Sequence, residues 1–144
     1  MCSTYPALHA FSKLLPNWEF CALSASGLSG SLLSTWNPHR VRCRAFATVV
    51  GILIKATFRV MPNPIDILNV YGPYRNRDSF WEKACRGGLL NSPNLILGGD
   101  LNLTLRASET WGIKAAIDPL SSHFNCFFDS LGLVEIATPI VGPT

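Results

Sequence analysis

The residues Asn94-Leu95-Ile96-Leu97-Gly98-Gly99-Asp100-Leu101-Asn102 leave the chain few options. Leu95, Ile96 and Leu97 form a short continuous apolar run, which predicts a strand buried on both faces. The two glycines lack Cβ and let another backbone or a ligand come close. In an extended chain, residues two apart point the same way. Asp100 and Asn102 are therefore expected to face a cleft together, with Leu101 turned into the core. A carboxylate that takes a proton or holds a hydrated cation, beside an amide that donates to a phosphate oxygen, is half of a site for phosphodiester hydrolysis. The same residues also make an ordinary strand end and turn, so the reading depends on its surroundings.

The surroundings are those of one folded domain with a real core. The chain has 144 residues, 48% of them hydrophobic and 15% charged, with a mean hydropathy of +0.24. That is not the composition of a disordered segment. The longest apolar stretch, Ala45 to Ile54, is interrupted by Thr48 and followed by Lys55, and is too short to span a bilayer. No signal-peptide pattern is read at the N-terminus. Cys2, Cys21, Cys43, Cys85 and Cys126 are odd in number and form no C-x-x-C pair. They are expected to be reduced and mostly buried, which points to an intracellular setting, nuclear or cytoplasmic. His9, His39 and His123 match no zinc spacing. A net charge of +3 permits nucleic-acid binding without demanding it.

Periodicity and turn residues predict the elements in order. Thr4 to Leu15 reads as a helix ended by Pro16. Trp18 to Leu23 and Ser31 to Trp36 read as a hairpin across a turn of small residues. Val41 to Val50 reads as a strand that brings Arg40, Arg42 and Arg44 to one face. That face is either a solvated surface or a stripe that meets nucleic-acid phosphates. Ile52 to Val60 and Ile65 to Tyr71 read as strands, the latter stopped by Gly72-Pro73 with Tyr71 at a cleft. Asp78 to Leu90 is expected to be helical, with Phe80, Trp81, Ala84 and Cys85 inward and Gly87-Gly88 weakening its end. Pro119 to Leu131 is a second such helix, with Phe124, Phe127, Phe128 and Leu131 on its apolar face and Gly132 past its end. Leu133 to Ile136 reads as one more short strand. The result is a layered α/β (α+β) fold with sheets covered by helices.

Three segments in this order resemble a known set: Ser26-Gly27-Leu28-Ser29-Gly30-Ser31-Leu32-Leu33 with Trp36, Asn69-Val70-Tyr71-Gly72-Pro73, and Gly98-Gly99-Asp100-Leu101-Asn102 with Glu109 and Gly112 downstream. Together they resemble the endonuclease–exonuclease–phosphatase superfamily with its DNase I-like fold, and within it the endonuclease domain of plant LINE-type retrotransposons. The resemblance implies a two-sheet β-sandwich flanked by helices, with the site at the strand ends. It implies that Asp100 positions or deprotonates the attacking water. Asn102 would contact the scissile phosphate, and Tyr71 would stabilise charge in the transition state. Mg²⁺ or Mn²⁺ would be the cofactor and DNA the partner, with no membrane involved.

The departures from that pattern shape the functional expectation. The family's opening strands, with an active-site Asn and a metal-binding Glu, and its closing Ser-Asp-His motif have no counterpart in residues 1–144. The whole chain is expected to be one partial domain, incomplete at both ends of the site and inactive or nearly so alone, because such groups act as a unit. Glu109 or Asp118 would have to replace the metal ligand if it were active. Open sheet edges would favour self-association. Two further readings stay open: a non-catalytic nucleic-acid-binding remnant using Arg40, Arg42 and Arg44, and a phosphatase-branch member of the same fold.

Overall fold

A computed structural model describes residues 6–24, 31–106 and 118–136. The chain divides into two compact units, Met1–Asn102 and Leu103–Thr144. The first carries α1 (Pro6–Leu14), β1 (Glu19–Leu23), β2 (Leu32–Trp36), β3 (Val41–Ala47), β4 (Gly51–Phe58), β5 (Ile65–Tyr71), α2 (Arg77–Arg86) and β6 (Leu95–Asp100). The second carries α3 (Ser121–Ser130). None of the helices among the described residues is long and apolar enough to cross a membrane.

Two sheets organise the first unit. β1 and β2 form an antiparallel pair, and β3-β4-β5-β6 form a four-stranded sheet. The pairings within β3-β4-β5 are antiparallel, whereas β6 runs parallel to β5. A parallel return needs a crossover, and here α2 lies in it. Thr48 closes the β3–β4 hairpin: its hydroxyl oxygen accepts from the Val50 and Gly51 amides, and its own amide donates to the Gly51 carbonyl at 2.8 Å. β3 therefore ends at Ala47, short of the expected Val50.

Alternation sorts the sheet into two faces. On the inner face, Ile52, Ile54 and Ala56 are buried, with Cys21, Leu23, Leu32, Trp36, Val41, Cys43, Ala45, Phe58 and Ile67 packed on them. These contributions come from both sheets, so the two-stranded pair lies against β3-β4-β5 as one layer of a sandwich. Among the described residues the buried polar side chains are Ser34, in this core, and Ser121, in the second unit. On the other face Leu68 and Val70 are fully buried. Within α2, Trp81 and Ala84 are the buried residues, while Phe80 and Cys85 are half-buried.

Helix ends follow their glycines. Gly88 takes a left-handed φ of 69°, and the Leu89 amide reaches back to the Ala84 carbonyl at 3.1 Å. This stops α2 at Arg86, four residues before the expected end. Gly132 does the same for α3 with φ 68°, and the Leu133 amide donates to Phe128. Asp118 holds the start of α3, accepting from the Leu120 amide at 2.9 Å. Phe124 and Phe128 are buried and stacked, ring centroids 6.3 Å apart.

Several expectations are corrected. β6 is an edge strand of its sheet, not a strand buried on both faces: Ile96 is 43% exposed, and Leu95 and Leu97 are only half-buried. Residues 133–136 form no strand; the Leu133 amide is taken up by the Phe128 carbonyl in the turn that ends α3. The four described cysteines are unpaired, but Cys21, Cys43 and Cys85 are half-buried and Cys126 is exposed. Partial burial raises the thiol pKa values of Cys21 and Cys85, and burial together with the Glu19 charge raises that of Cys43. Cys2, Glu109, Trp111 and Gly112, the small-residue turn at 25–30 and the segment 137–144 lie outside the described residues.

The central position of Ile52 gives a stability test. Ile52→Ala is expected to lower unfolding free energy by about 2–5 kcal/mol in urea titration, since the site is fully buried between strands and cannot collapse freely. A loss below about 1 kcal/mol would show that the sandwich interior is not packed around it.

Candidate functional site

The corner of interest lies where β5 and β6 end together. Because the pair is parallel and in register, Tyr71 sits directly beside Asp100. Ile67, Asn69 and Tyr71 alternate onto the inner face, and the register carries Ile96, Gly98 and Asp100 to that face with them. The phenol and the carboxylate are thus neighbours at the carboxyl ends of two parallel strands.

Glycines make this corner possible. A Cβ on Gly72 would collide with the Leu101 carbonyl, and one on Gly99 with the Val70 carbonyl. Gly99 also has φ 117°, which only glycine adopts without strain. The third glycine differs: a Cβ on Gly98 would meet nothing within 4 Å. Gly99 therefore admits a neighbouring backbone, and Gly98 leaves open space on the inner face beside Asn69.

Past the strand ends, hydrogen bonds lock the two exits together. The Gly72 amide donates to the Asp100 carbonyl at 2.6 Å. Asn102 takes φ 51°, the left-handed region that asparagine tolerates. Its amide donates to Asp100 Oδ1 at 3.1 Å, and its side-chain Nδ2 donates to the Gly72 carbonyl. Arg77, in the first turn of α2, donates to the Asn102 carbonyl at 3.3 Å. The expected strand-like alternation of Asp100 and Asn102 is not observed, because the strand stops at Asp100 and the chain turns left-handed. The two residues come together instead through an Asx-type turn. In this arrangement the Asn102 amide group braces the corner, while Asp100 is exposed and the Tyr71 hydroxyl has no hydrogen-bond partner among the described residues.

Ser34 is a participant to which the sequence pattern assigns no role. Asn69 Nδ2 donates to Ser34 Oγ at 3.0 Å, joining β5 to β2 across the sandwich. Ser34 is buried, with 8% exposure. The signal was a hydroxyl in the middle of Leu32-Leu33-Ser34-Thr35-Trp36, at a position whose neighbours two apart face the core. Burying that hydroxyl is tolerable only because it is hydrogen-bonded.

The arginines lie elsewhere. Arg42 and Arg44 are exposed on β3, opposite Thr57 and Lys55. Their face is the outer one, since Val41, Cys43 and Ala45 occupy the inner. Arg40 is not on that strand face: it sits in the turn before β3, its amide donating to the Asn37 carbonyl at 3.0 Å. The Arg44 level of the sheet is that of Lys55 and Asp66. Tyr71 is five residues further along β5, about 17 Å at roughly 3.3 Å per residue. Basic face and strand-end corner are thus on opposite faces and at opposite ends of the sheet.

A divalent cation fits this corner poorly. Asp100 provides one carboxylate, and among the described residues no three His, Cys, Asp or Glu side chains come together. Mg²⁺ held through a single carboxylate depends on substrate phosphate and water for its remaining ligands. Asp118, a second carboxylate, accepts from the Leu120 amide at the start of α3 and from the Thr104 amide. No protein-family model and no curated protein matches the chain.

The contrast among glycines can be measured. Gly72→Ala is expected to destabilise the protein by more than about 2 kcal/mol, an overpacking cost against fixed backbone. Gly98→Ala, with open space around it, is expected to be neutral or to stabilise by about 0.4–1 kcal/mol through the unfolded state. Equal effects in thermal or urea unfolding would contradict the geometry described.

Proposed function

We propose that the first unit belongs to a DNA phosphodiesterase domain of the endonuclease–exonuclease–phosphatase kind, nuclease branch, of LINE-type retrotransposon origin. In this reading the strand-end corner is the phosphate-facing part of its site. The observation that supports this is the side-by-side placement of Tyr71 and Asp100 at the ends of two parallel strands. Asp100 is the group to accept a proton from water attacking phosphorus. The Tyr71 hydroxyl, free to donate, faces the oxygen on which charge develops. Asn102 holds both exits in place through Gly72 and the Asp100 carboxylate.

The same reading makes the chain inactive by itself. A positioned general base contributes about 10²–10⁴-fold. Phosphate esters hydrolyse so slowly without catalysis that enzymes acting on them supply many more orders of magnitude. Asp100 and Tyr71 cannot make up that difference without further acid, imidazole and metal-binding groups. A divalent cation would act as Lewis acid on the phosphate, but among the described residues this corner offers it one carboxylate, Asp100.

Two arms test the proposal on the purified 144-residue chain. Supercoiled plasmid incubated with Mg²⁺, with Mn²⁺ or with EDTA is expected to nick at one background rate, shared by Asp100→Ala. A dinucleoside monophosphate titrated into labelled protein is expected to shift the Tyr71 ring and Asp100 amide resonances selectively. Mg²⁺-dependent nicking lost in Asp100→Ala would overturn the inactivity. Failure of the phosphodiester to perturb Tyr71 and Asp100 would remove the phosphate-facing role.

A further inference from the structure

The outer face of the four-stranded sheet changes character along its length. At the β5 carboxyl end Leu68 and Val70 are buried. At the other end the face is open and charged. Arg42 and Arg44 project from β3, exposed and without an ion-pair partner among the described residues. Their cross-strand neighbours on β4 are Thr57 and Lys55. Arg44 and Lys55 stand directly opposite each other, an arrangement that like charges disfavour. Lys55 is turned toward the third strand, where it pairs with Asp66 at 2.7 Å while its side chain stays 51% exposed. Among the described residues the patch holds three cations, Arg42, Arg44 and Lys55, and one anion, Asp66.

We propose that this face, Arg42 and Arg44 with Lys55 beside them, binds the phosphate backbone of duplex nucleic acid without reading its sequence. Charge complementarity selects the occupant. Arg42 and Arg44 lie about 7 Å apart along the strand, and phosphates on one nucleic-acid strand recur about every 3.4 Å of helix axis. Because the backbone also winds around that axis, neighbouring phosphates of one strand stand roughly 6–7 Å apart in space, so the two guanidiniums meet adjacent phosphates. An approaching polyanion also relieves the repulsion between Arg44 and Lys55. Asp66 tempers the site by holding Lys55, so two cations are free for contact and a third is held in reserve. Binding here is independent of Tyr71 and Asp100, which occupy the opposite face and end of the sheet.

Fluorescence anisotropy of a labelled DNA duplex against the full chain, in a KCl series, tests this. The logarithm of the binding constant is expected to fall with log[KCl] with a slope of about −2, near 0.9 per phosphate neutralised. Arg42→Ala/Arg44→Ala is expected to weaken binding by about tenfold or more at low salt and to flatten the slope by about 2. Asp66→Asn is expected to tighten binding and steepen the slope by about 1, as Lys55 becomes available. A misfolded variant would not give that gain. The dinucleoside monophosphate is expected to shift the Tyr71 and Asp100 resonances equally in wild type and in Arg42→Ala/Arg44→Ala, so failure of the strand-end reading and failure of this one are separable. Lys83→Ala/Arg86→Ala, on exposed α2 positions, matches the charge change elsewhere; an equal loss there would reduce the effect to net charge and overturn the assignment. Stronger loss of binding to phosphatidylserine vesicles than to duplex in Arg42→Ala/Arg44→Ala would overturn it in favour of a membrane surface.

Discussion

The candidate site depends on how closely two backbones approach at the ends of β5 and β6. Gly72 comes against Leu101, and Gly99 against Val70, at separations that leave no room for a Cβ. Once the strands meet this closely, the Gly72 amide reaches the Asp100 carbonyl and the Asn102 side chain reaches back to Gly72. Each such bond contributes about 0.5–1.5 kcal/mol net. Their joint effect is to fix where a phenol and a carboxylate lie. Without the glycines, Tyr71 and Asp100 would not share a corner.

The sheet then separates two kinds of chemistry. Its inner face is a sandwich core, bridged by the hydrogen bond from Asn69 to Ser34, with Asn69 two residues before Tyr71 on the same face. The outer face carries exposed charge where β3 and β4 lead it, and buried Leu68 and Val70 further along. A strand alternates its side chains, so β5 serves both faces: Asp66 engages Lys55 outside, while Tyr71 points to the strand-end corner inside. Contact with a polyanion and chemistry on a phosphodiester can therefore reside in one small sheet without sharing residues.

Much of this was legible in the residues themselves. The strands from Glu19 to Tyr71, the hairpin joining β1 and β2, and the amphipathic pattern of α3 with its Gly132 stop follow from alternation, period and turn chemistry. The register of Tyr71 with Asp100 did not, because parallel pairing is a long-range choice that no local pattern encodes. Leu95-Ile96-Leu97 looked like a strand covered on both sides, since apolar content reports the need for burial and not the presence of neighbours; in the fold β6 is an edge. Alternation failed at Asn102 for a local reason. The left-handed Asn102 breaks the two-residue period, and asparagine is one of the few residues that tolerate that conformation. Arg40 left the arginine face for a similar reason, as the Asn37-Pro38 turn claims its backbone.

The most direct test of the close-packed corner is amide hydrogen exchange at Gly72. Its amide donates to the Asp100 carbonyl, outside the regular β5–β6 ladder and just beyond the end of β5. Gly72 is expected to be protected to the same degree as the buried β5 amides of Leu68 and Val70, so that it opens only with the sheet. Exchange at the rate of an unstructured glycine would mean that the strand ends are not joined, and that Tyr71 and Asp100 are not held together.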